Sequence, residues 1–466
     1  MIKRSLAIAA TIALVLTGAV ANAAPKPKPY SPKGYSYDRC GFEPNLKGTA
    51  AQLQNYLLQN RRCVGAMRIA ESSLVKEKPK TSNSTLGLLS TEVCKLRHSE
   101  SEKVRVWKGF PSPVQAQDFE LKRVPAPGKV IQIIPIYSSD APKTGKSPYQ
   151  DYKYYIDAAR QYFNQINDGP NPLIVRVPDE YMLFPRPIAP YGVRHGKDGA
   201  LALQFIQDAV TAVDDKIDFS KADFKLFVLP AGTPSSILSE QGFPFANSNE
   251  GFVTNLAIAQ PINFKVSKDN VEGAELGSLE MFFHEFYHPG MNLGDNHGTN
   301  SAAYDDNRGM GQFGLMSSGN GDLLAWQKWF LGFMQDSQIR CADKSTLSTS
   351  WIAPSSVKTK KSKMVVIPLS NTKVIVVESI RATGLSYRYP KVSLGALVYE
   401  VDIADTRHEY GYKVLYPDSR RPGYGTQYPM DDAPLKIGES LTYEGVKITN
   451  VEWGEFGDVI KVEPVK

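Results

Sequence analysis

The stretch from His284 to His297, HEFYHPGMNLGDNH, holds three of the six histidines in this 466-residue chain. The apolar residues that lead into it recur at helical spacing: Leu279, Phe282, Phe283 and Phe286. This spacing predicts a helix with one apolar face against the core. His284 and His288 are four residues apart, so they project from another side of that helix, one turn from each other.

The five residues from His284 to His288 form the pattern HExxH. Two imidazoles at this spacing can bind one zinc ion from the same side of a helix. Glu285 lies about 100° around the helix from His284, where its carboxylate can reach a water on the metal without being a ligand. The alternative is a helix with two surface histidines, and the density of histidines in this stretch favours the metal site.

Zinc at a catalytic site takes three protein ligands and keeps the fourth position open for water. Pro289 and Gly290 predict that the helix ends at His288 and that the chain then folds back beneath the metal. Asp295 and His297 both lie on this return segment, and both are suitable ligand types. We expect Asp295 to complete the site, with His297 as the alternative third ligand.

The same stretch resembles the secreted bacterial metallopeptidases of the immune inhibitor A type, whose pattern is HExxHxxGxxD. Downstream, FGLMSSGNGDLLAWQKWFLGF is similar to the Met-turn and following helix of that family, with Met316 at the methionine position. Taken without these flanking motifs, Met316 would be assigned to core packing. The runs VIVVESIRATG, GALVYEVD and LKIGESLTYEGVKI resemble the C-terminal β-region of the family, so the likeness covers roughly residues 129–466. Gly290 comes one residue earlier than the family's glycine, and Asp295 one residue later than its aspartate.

The resemblance implies a zinc-dependent endopeptidase with a metzincin-like fold, acting on protein or peptide substrates. It implies that His284, His288 and Asp295 bind zinc (Zn2+) and that Glu285 is the general base. Two alternatives stay open. The chain could be a catalytically degenerate zincin-fold binding protein of the cell envelope, as the displaced glycine and aspartate allow, or a zinc hydrolase of non-peptide substrates.

Four residues that follow the motif carry oxygen donors and are candidate ligands for a second metal ion: Asp305, Asp306, Asn307 and Asp322. Exported peptidases often bind calcium (Ca2+) through such side chains. The spacing fits no defined calcium loop, so a solvated acidic turn is the favoured interpretation.

The pattern of apolar runs predicts an α+β protein. Strand-like runs alternate with helical ones from residue 129 onward, which indicates a zincin-like α/β catalytic domain in residues 126–340. Short β-branched runs bounded by turn residues follow, which indicates an antiparallel, β-sandwich-like domain in residues 341–466. Residues 24–125 are expected to be a helical cap or a propeptide, and STEVCKLRHSESEKVRVW within them is a candidate helix.

Residues 1–23 are typical of a signal peptide, with a charged start, an apolar stretch and an Ala-Asn-Ala cleavage site. We therefore expect an exported bacterial protein without stable membrane insertion after cleavage; an uncleaved membrane anchor is the alternative. The net charge of +6 is mild and forms no clustered basic surface, which argues against nucleic-acid binding.

The four cysteines are an even number in a chain expected to be exported, which favours two disulfides with three possible connectivities. DRCGFEP around Cys40 resembles the cysteine switch of matrixin propeptides, in which a thiolate binds the catalytic zinc. Only the Arg-Cys-Gly core and a displaced proline agree, so a plain disulfide is the favoured interpretation.

Overall fold

The computed structural model has a mixed α/β fold with several sheets, in which strands outnumber helices. The structure describes residues 74–104, 106–115, 129–169, 174–194, 199–234, 236–239, 241–259, 284, 286–288, 290–296, 309–318, 322–386, 389–405, 411–420 and 430–465. The expected signal peptide, Cys40 and Cys63 lie outside these residues. Within the described ranges, no helix is both long enough and apolar enough to cross a lipid bilayer.

A six-stranded sheet forms the first layer, in the order β2-β1-β4-β8-β5 with β3 also paired to β1. Its strands are β1 (Val130–Tyr137), β2 (Ile174–Arg176), β3 (Met182–Leu183), β4 (Phe224–Val228), β5 (Gln241–Phe243) and β8 (Leu256–Ile258). All pairings are parallel except that of β5 with β8. A separate hairpin joins β6 (Ala246–Ser248) to β7 (Gly251–Val253). The strand runs expected at the sequence level thus form one mainly parallel sheet.

Helices cover both faces of this sheet. After a short N-terminal helix, α1 (Thr91–Cys94), come α2 (Pro148–Ile166) and α3 (Ala200–Val213). Ile131 and Ile133 of β1 pack in the core that includes α2 residues. Ile134 and Ile136 pack in a second core that includes α3 residues. Alternate side chains of one strand therefore face opposite layers, as its pleat requires.

Two largely antiparallel sheets form the C-terminal part. One has the order β14-β13-β12-β11-β9 and the other the order β10-β17-β16-β15. The strands of the first are β9 (Ile339–Cys341), β11 (Met364–Pro368), β12 (Lys373–Ile380), β13 (Gly395–Asp402) and β14 (Tyr412–Leu415). Those of the second are β10 (Ser348–Ile352), β15 (Ser440–Tyr443), β16 (Val446–Gly454) and β17 (Gly457–Pro464). Val365 and Val377 pack in a core shared with the second sheet, whereas Val366 and Val376 face the core that contains α2.

Two short helices connect the α/β layer to these sheets, α4 (Leu315–Ser318) and α5 (Ala325–Phe330). Every residue of α5 is buried. Trp326 is fully buried and lies edge-on to Trp329, with 5.6 Å between the ring centroids. The hydrophobic core around α5 thus includes residues from both halves of the chain.

Within the described residues of the N-terminal part there is one short helix, α1 (Thr91–Cys94), rather than the candidate helix over residues 90–107. After α1 the chain is extended or irregular and forms an isolated bridge between Arg97 and Phe110. Cys94 forms a disulfide with Cys341, with a Cα–Cα distance of 5.9 Å. If two disulfides exist, this pairing leaves Cys40 and Cys63 for the second.

Candidate metal centre

The histidine motif lies on a helical segment in which His284, residues 286–288 and residues 290–291 have helical conformation. Phe286 and Tyr287 are buried on its core side. The Phe286 ring lies 5.3 Å from that of Phe163 on α2 and 4.9 Å from that of Phe224 on β4, measured between centroids. This packing fixes the helix against the sheet and leaves the two histidines on its more open side.

The helix does not end at His288, as proline and glycine in the sequence predicted, because Gly290 and Met291 are still helical. A Cβ at Gly290 would lie 2.7 Å from Cε2 of Phe286, so this glycine allows a close approach of the ring rather than a turn. The chain reverses one residue after the helix, at Asn292, whose φ is 53°. Asparagine tolerates this left-handed conformation better than most residues do.

The reversal brings Asp295 back to the two histidines. Oδ1 of Asp295 lies 3.1 Å from Nε2 of His284 and 3.5 Å from Nε2 of His288. The two Nε2 atoms are 3.0 Å apart. His284, His288 and Asp295 are the group in the described part of the chain whose ligand atoms could hold a metal ion together. All three side chains are partly exposed, so the group is open to solvent.

Main-chain carbonyls orient both imidazoles. Nδ1 of His284 lies 2.9 Å from the carbonyl oxygen of Leu315, and Nδ1 of His288 lies 2.8 Å from that of Leu293. A carbonyl only accepts hydrogen bonds, so each Nδ1 carries the proton and donates it. Both Nε2 atoms therefore present lone pairs to the same point, which is the arrangement of metal-binding histidines.

Two lone pairs facing each other at 3.0 Å repel unless a proton or a cation lies between them. The carboxylate of Asp295 adds negative charge at the same point. Burial raises the pKa of Asp295, but hydrogen bonds from His284 and His288, which form when their Nε2 atoms carry protons, outweigh burial and hold that pKa well below its usual range. The group thus favours a positive charge at its centre.

The residues around Met316 lie directly beside the histidines. The carbonyl of Leu315 accepts the hydrogen bond from His284, and the carbonyl of Met316 accepts one from the amide of Asn296 at 2.6 Å. Met316 is fully buried. The segment thus contacts both the helix that carries the histidines and the loop that carries Asp295.

Contacts from the C-terminal half hold this segment in place. Tyr389 accepts a hydrogen bond from the amide of Gly314 at 3.0 Å, and the carbonyl of Asp322 accepts one from the amide of Leu315 at 2.7 Å. Asp322 is itself buried, and Lys328 of α5 binds its two carboxylate oxygens at 3.1 and 3.0 Å. The interpretation of Asp322 as part of a solvated acidic turn is therefore wrong.

Several predicted site residues lie outside the described residues. These are the candidate general base Glu285, the alternative ligand His297 and three of the candidate calcium ligands, Asp305, Asp306 and Asn307. Their roles stay predictions from the sequence.

Sequence reasoning missed the groups that orient the centre. Four of them are Leu293, Leu315, Asn292 and Tyr389. Two of these act through main-chain carbonyls, which no side-chain pattern encodes. Only the asparagine could have been noticed, because asparagine is enriched where the chain adopts a left-handed conformation.

Comparison of the chain with models of protein families, with curated proteins and with solved structures gives no match. The function must therefore be argued from the geometry of the centre and from the motifs that surround it.

Proposed function

We propose that the protein is a secreted zinc-dependent endopeptidase of zincin-like, metzincin-type architecture. The observation that carries the proposal is the convergence of Nε2 of His284, Nε2 of His288 and Oδ1 of Asp295, with both Nδ1 atoms committed to carbonyls. The HExxH spacing and the resemblance of the flanking motifs add the reaction class. Export rests on the expected signal peptide.

The donor set and its dimensions fit zinc. Ligands at 2.0–2.2 Å in tetrahedral geometry lie about 3.3 Å from one another. The three distances among the donor atoms here, 3.0, 3.1 and 3.5 Å, are close to that value. Two imidazoles and one carboxylate suit zinc, whereas calcium and magnesium prefer sets made entirely of oxygen.

Zinc held by these residues would polarise the scissile carbonyl and acidify a water at its open position. Glu285 follows His284 directly in the sequence, so on a continuous helix its carboxylate would point about 100° away from the two histidines. At that position it accepts the proton from the attacking water and returns it to the leaving amine. His284 and His288 would hold the metal through their Nε2 lone pairs, because their Nδ1 protons are donated to main-chain oxygens.

The displaced glycine and aspartate were the argument for a degenerate centre. In the structure the extra residue before Asp295 is accommodated by the turn at Asn292, and the carboxylate still lies beside both histidines. We therefore favour a catalytic centre over a binding protein that has lost its metal.

The experiment is metal analysis of the purified mature chain together with hydrolysis of unfolded casein, with and without a chelator. We expect about one zinc per chain and activity that zinc restores after chelation. Glu285→Ala should keep zinc but lose at least about a hundredfold in hydrolysis, the scale of a lost general base. A panel of peptide and glycan substrates separates a peptidase from a hydrolase of other bonds.

The third ligand is tested by zinc titration of Asp295→Ala and His297→Ala. We expect only Asp295→Ala to lose tight binding. Loss of tight zinc binding in His297→Ala alone would show that three histidines bind the metal.

A further inference from the structure

We infer that the segment made of residues 94–104 and 106–110, here called the N-terminal segment, is a permanent part of the metal centre. It positions the loop that carries Asp295, and any maturation that leaves the centre functional must retain it. This inference rests on the proposed function, because the centre it supports is the proposed zinc site.

The N-terminal segment is attached to the C-terminal half covalently and by burial. The disulfide between Cys94 and Cys341 joins residues 247 positions apart. Leu96, Trp107 and Phe110 are buried in the same core as α5. The Phe110 ring lies edge-on to that of Trp329, with 4.8 Å between the centroids. A cut in the chain after residue 110 would therefore leave the segment attached by the disulfide and by aromatic packing.

The contact with the metal loop is a main-chain hydrogen bond. The amide of Trp107 donates to the carbonyl oxygen of Asn292 at 2.8 Å. Asn292 is the residue at which the chain turns back from the histidine helix, and Asp295 follows three residues later. The bond therefore holds the reversal on which the position of the third ligand depends.

The donor is itself fixed from the opposite side. Nε1 of Trp326 donates to the carbonyl of Lys108 at 2.7 Å, one peptide unit beyond Trp107. The Trp107 ring is 5 % exposed and lies edge-on to His98, with 5.4 Å between the centroids. Residues 107 and 108 thus connect the Asn292 turn to α5.

A removable propeptide would have to leave a complete centre behind. Loss of the N-terminal segment would instead expose the core face that Trp107 and Phe110 cover, and it would remove the donor to Asn292. Groups that orient metal ligands from outside the coordination sphere commonly change metal affinity by about 10–100-fold. The geometry points to such a positioning role for Trp107.

Hydrogen exchange on the wild-type full chain tests the coupling without any substitution. If the segment stabilises the metal loop, zinc must stabilise the segment to the same extent, because coupling between two sites is reciprocal. We expect chelation to speed exchange in peptides covering 286–296 and 104–110 together. A peptide covering β12 is the internal reference. Faster exchange in 286–296 alone would overturn the inference.

Zinc titration of Trp107→Pro, which lacks the amide donor, is compared with that of Trp107→Phe, which keeps it. We expect Trp107→Pro to bind zinc about tenfold more weakly or worse and Trp107→Phe to stay close to wild type. Equal affinities in two folded variants would contradict the positioning role. If Trp107→Pro does not fold, the exchange experiment decides.

Mass spectrometry of the zinc-loaded mature form tests whether the N-terminal segment is retained. We expect every zinc-loaded form to contain residues 94–110. If the chain has been cut between residue 110 and Cys341, these residues should be released only after the disulfide is reduced. A zinc-loaded form without them would overturn the inference. A wild-type chain that binds no zinc would contradict both the proposed function and this inference. If the wild-type chain binds zinc but chelation leaves hydrogen exchange in residues 104–110 unchanged, only this inference is contradicted.

Discussion

Replacing Asn292 by alanine should weaken zinc binding through backbone strain. Asn292 has a φ of 53°, which costs an ordinary L-residue roughly 1–2 kcal/mol and asparagine less. We therefore expect Asn292→Ala to add about 1 kcal/mol of strain to the loop. If the loop relaxes by moving Asp295 away from the histidines, zinc affinity falls about fivefold. Asn292→Gly should stay close to wild type, because glycine adopts positive φ without a steric penalty.

The matched control is Asn255, whose φ is 56° and which directly precedes β8 rather than lying in the loop that carries Asp295. Asn255→Ala adds comparable strain and removes a hydrogen bond from its side-chain nitrogen to the carbonyl of Asp223. We expect it to lose stability in urea denaturation while zinc affinity, measured against a competing chelator, stays unchanged. The reasoning is refuted if Asn292→Ala and Asn292→Gly bind zinc equally well, or if Asn255→Ala weakens binding to the same degree.

Three further outcomes are expected. Gly290→Ala should destabilise the fold by roughly 1–3 kcal/mol in urea denaturation, because the new Cβ meets the buried Phe286 ring, and this outweighs the ~1 kcal/mol by which alanine normally favours a helix. Lys328→Met should lower the free energy of unfolding by about 3–5 kcal/mol, because it leaves the buried Asp322 without its cation. The double variant Lys328→Met with Asp322→Leu should recover much of that free energy. No recovery would mean that the broken ion pair is not the cause of the loss. Burial, aided by the charge of Lys328, lowers the pKa of Lys363 to about 8, whereas in the unfolded chain this pKa is about 10.5. Between these pH values the unfolded chain binds the proton and the folded chain does not, so the free energy of unfolding should rise with pH, by about 1.5 kcal/mol from pH 8 to 9.5. Lys363→Met should flatten that rise, and equal slopes in the two proteins would show that another group titrates.

Much of the strand and helix pattern was predictable, because long buried elements carry strong apolar periodicity. The strand-like and helical runs that alternate from residue 129 onward predicted β1 and α2. The eight-residue strands β12 and β17 also lie within residues 341–466, where short β-branched runs predicted strands. The short strands β3 and β9, of two and three residues, were not predicted, because neither lies in a β-branched run.

The candidate site was predictable where helix geometry fixes it and not where the backbone does. A spacing of four residues is sufficient to place His284 beside His288. The end of the helix was predicted wrongly, because Gly290 allows contact with a ring that only the tertiary structure brings near. The place of Trp107 beside Asn292 depends on a contact between residues far apart in sequence, and local pattern carries no information about it.

The carbonyls that orient the two histidines have a consequence for how the protein tolerates mutation. Because the acceptors at Leu293 and Leu315 are main-chain atoms, every amino acid supplies them. Substitutions at Leu293 and Leu315 should therefore affect the protein only through side-chain packing. In a metal centre whose histidines donate to aspartate side chains, a single substitution of an aspartate would remove a hydrogen-bond acceptor. The positions intolerant of change should instead be those that shape the backbone, such as Gly290 and Asn292. A mutational scan should therefore find sensitive positions at these two residues rather than at Leu293 and Leu315.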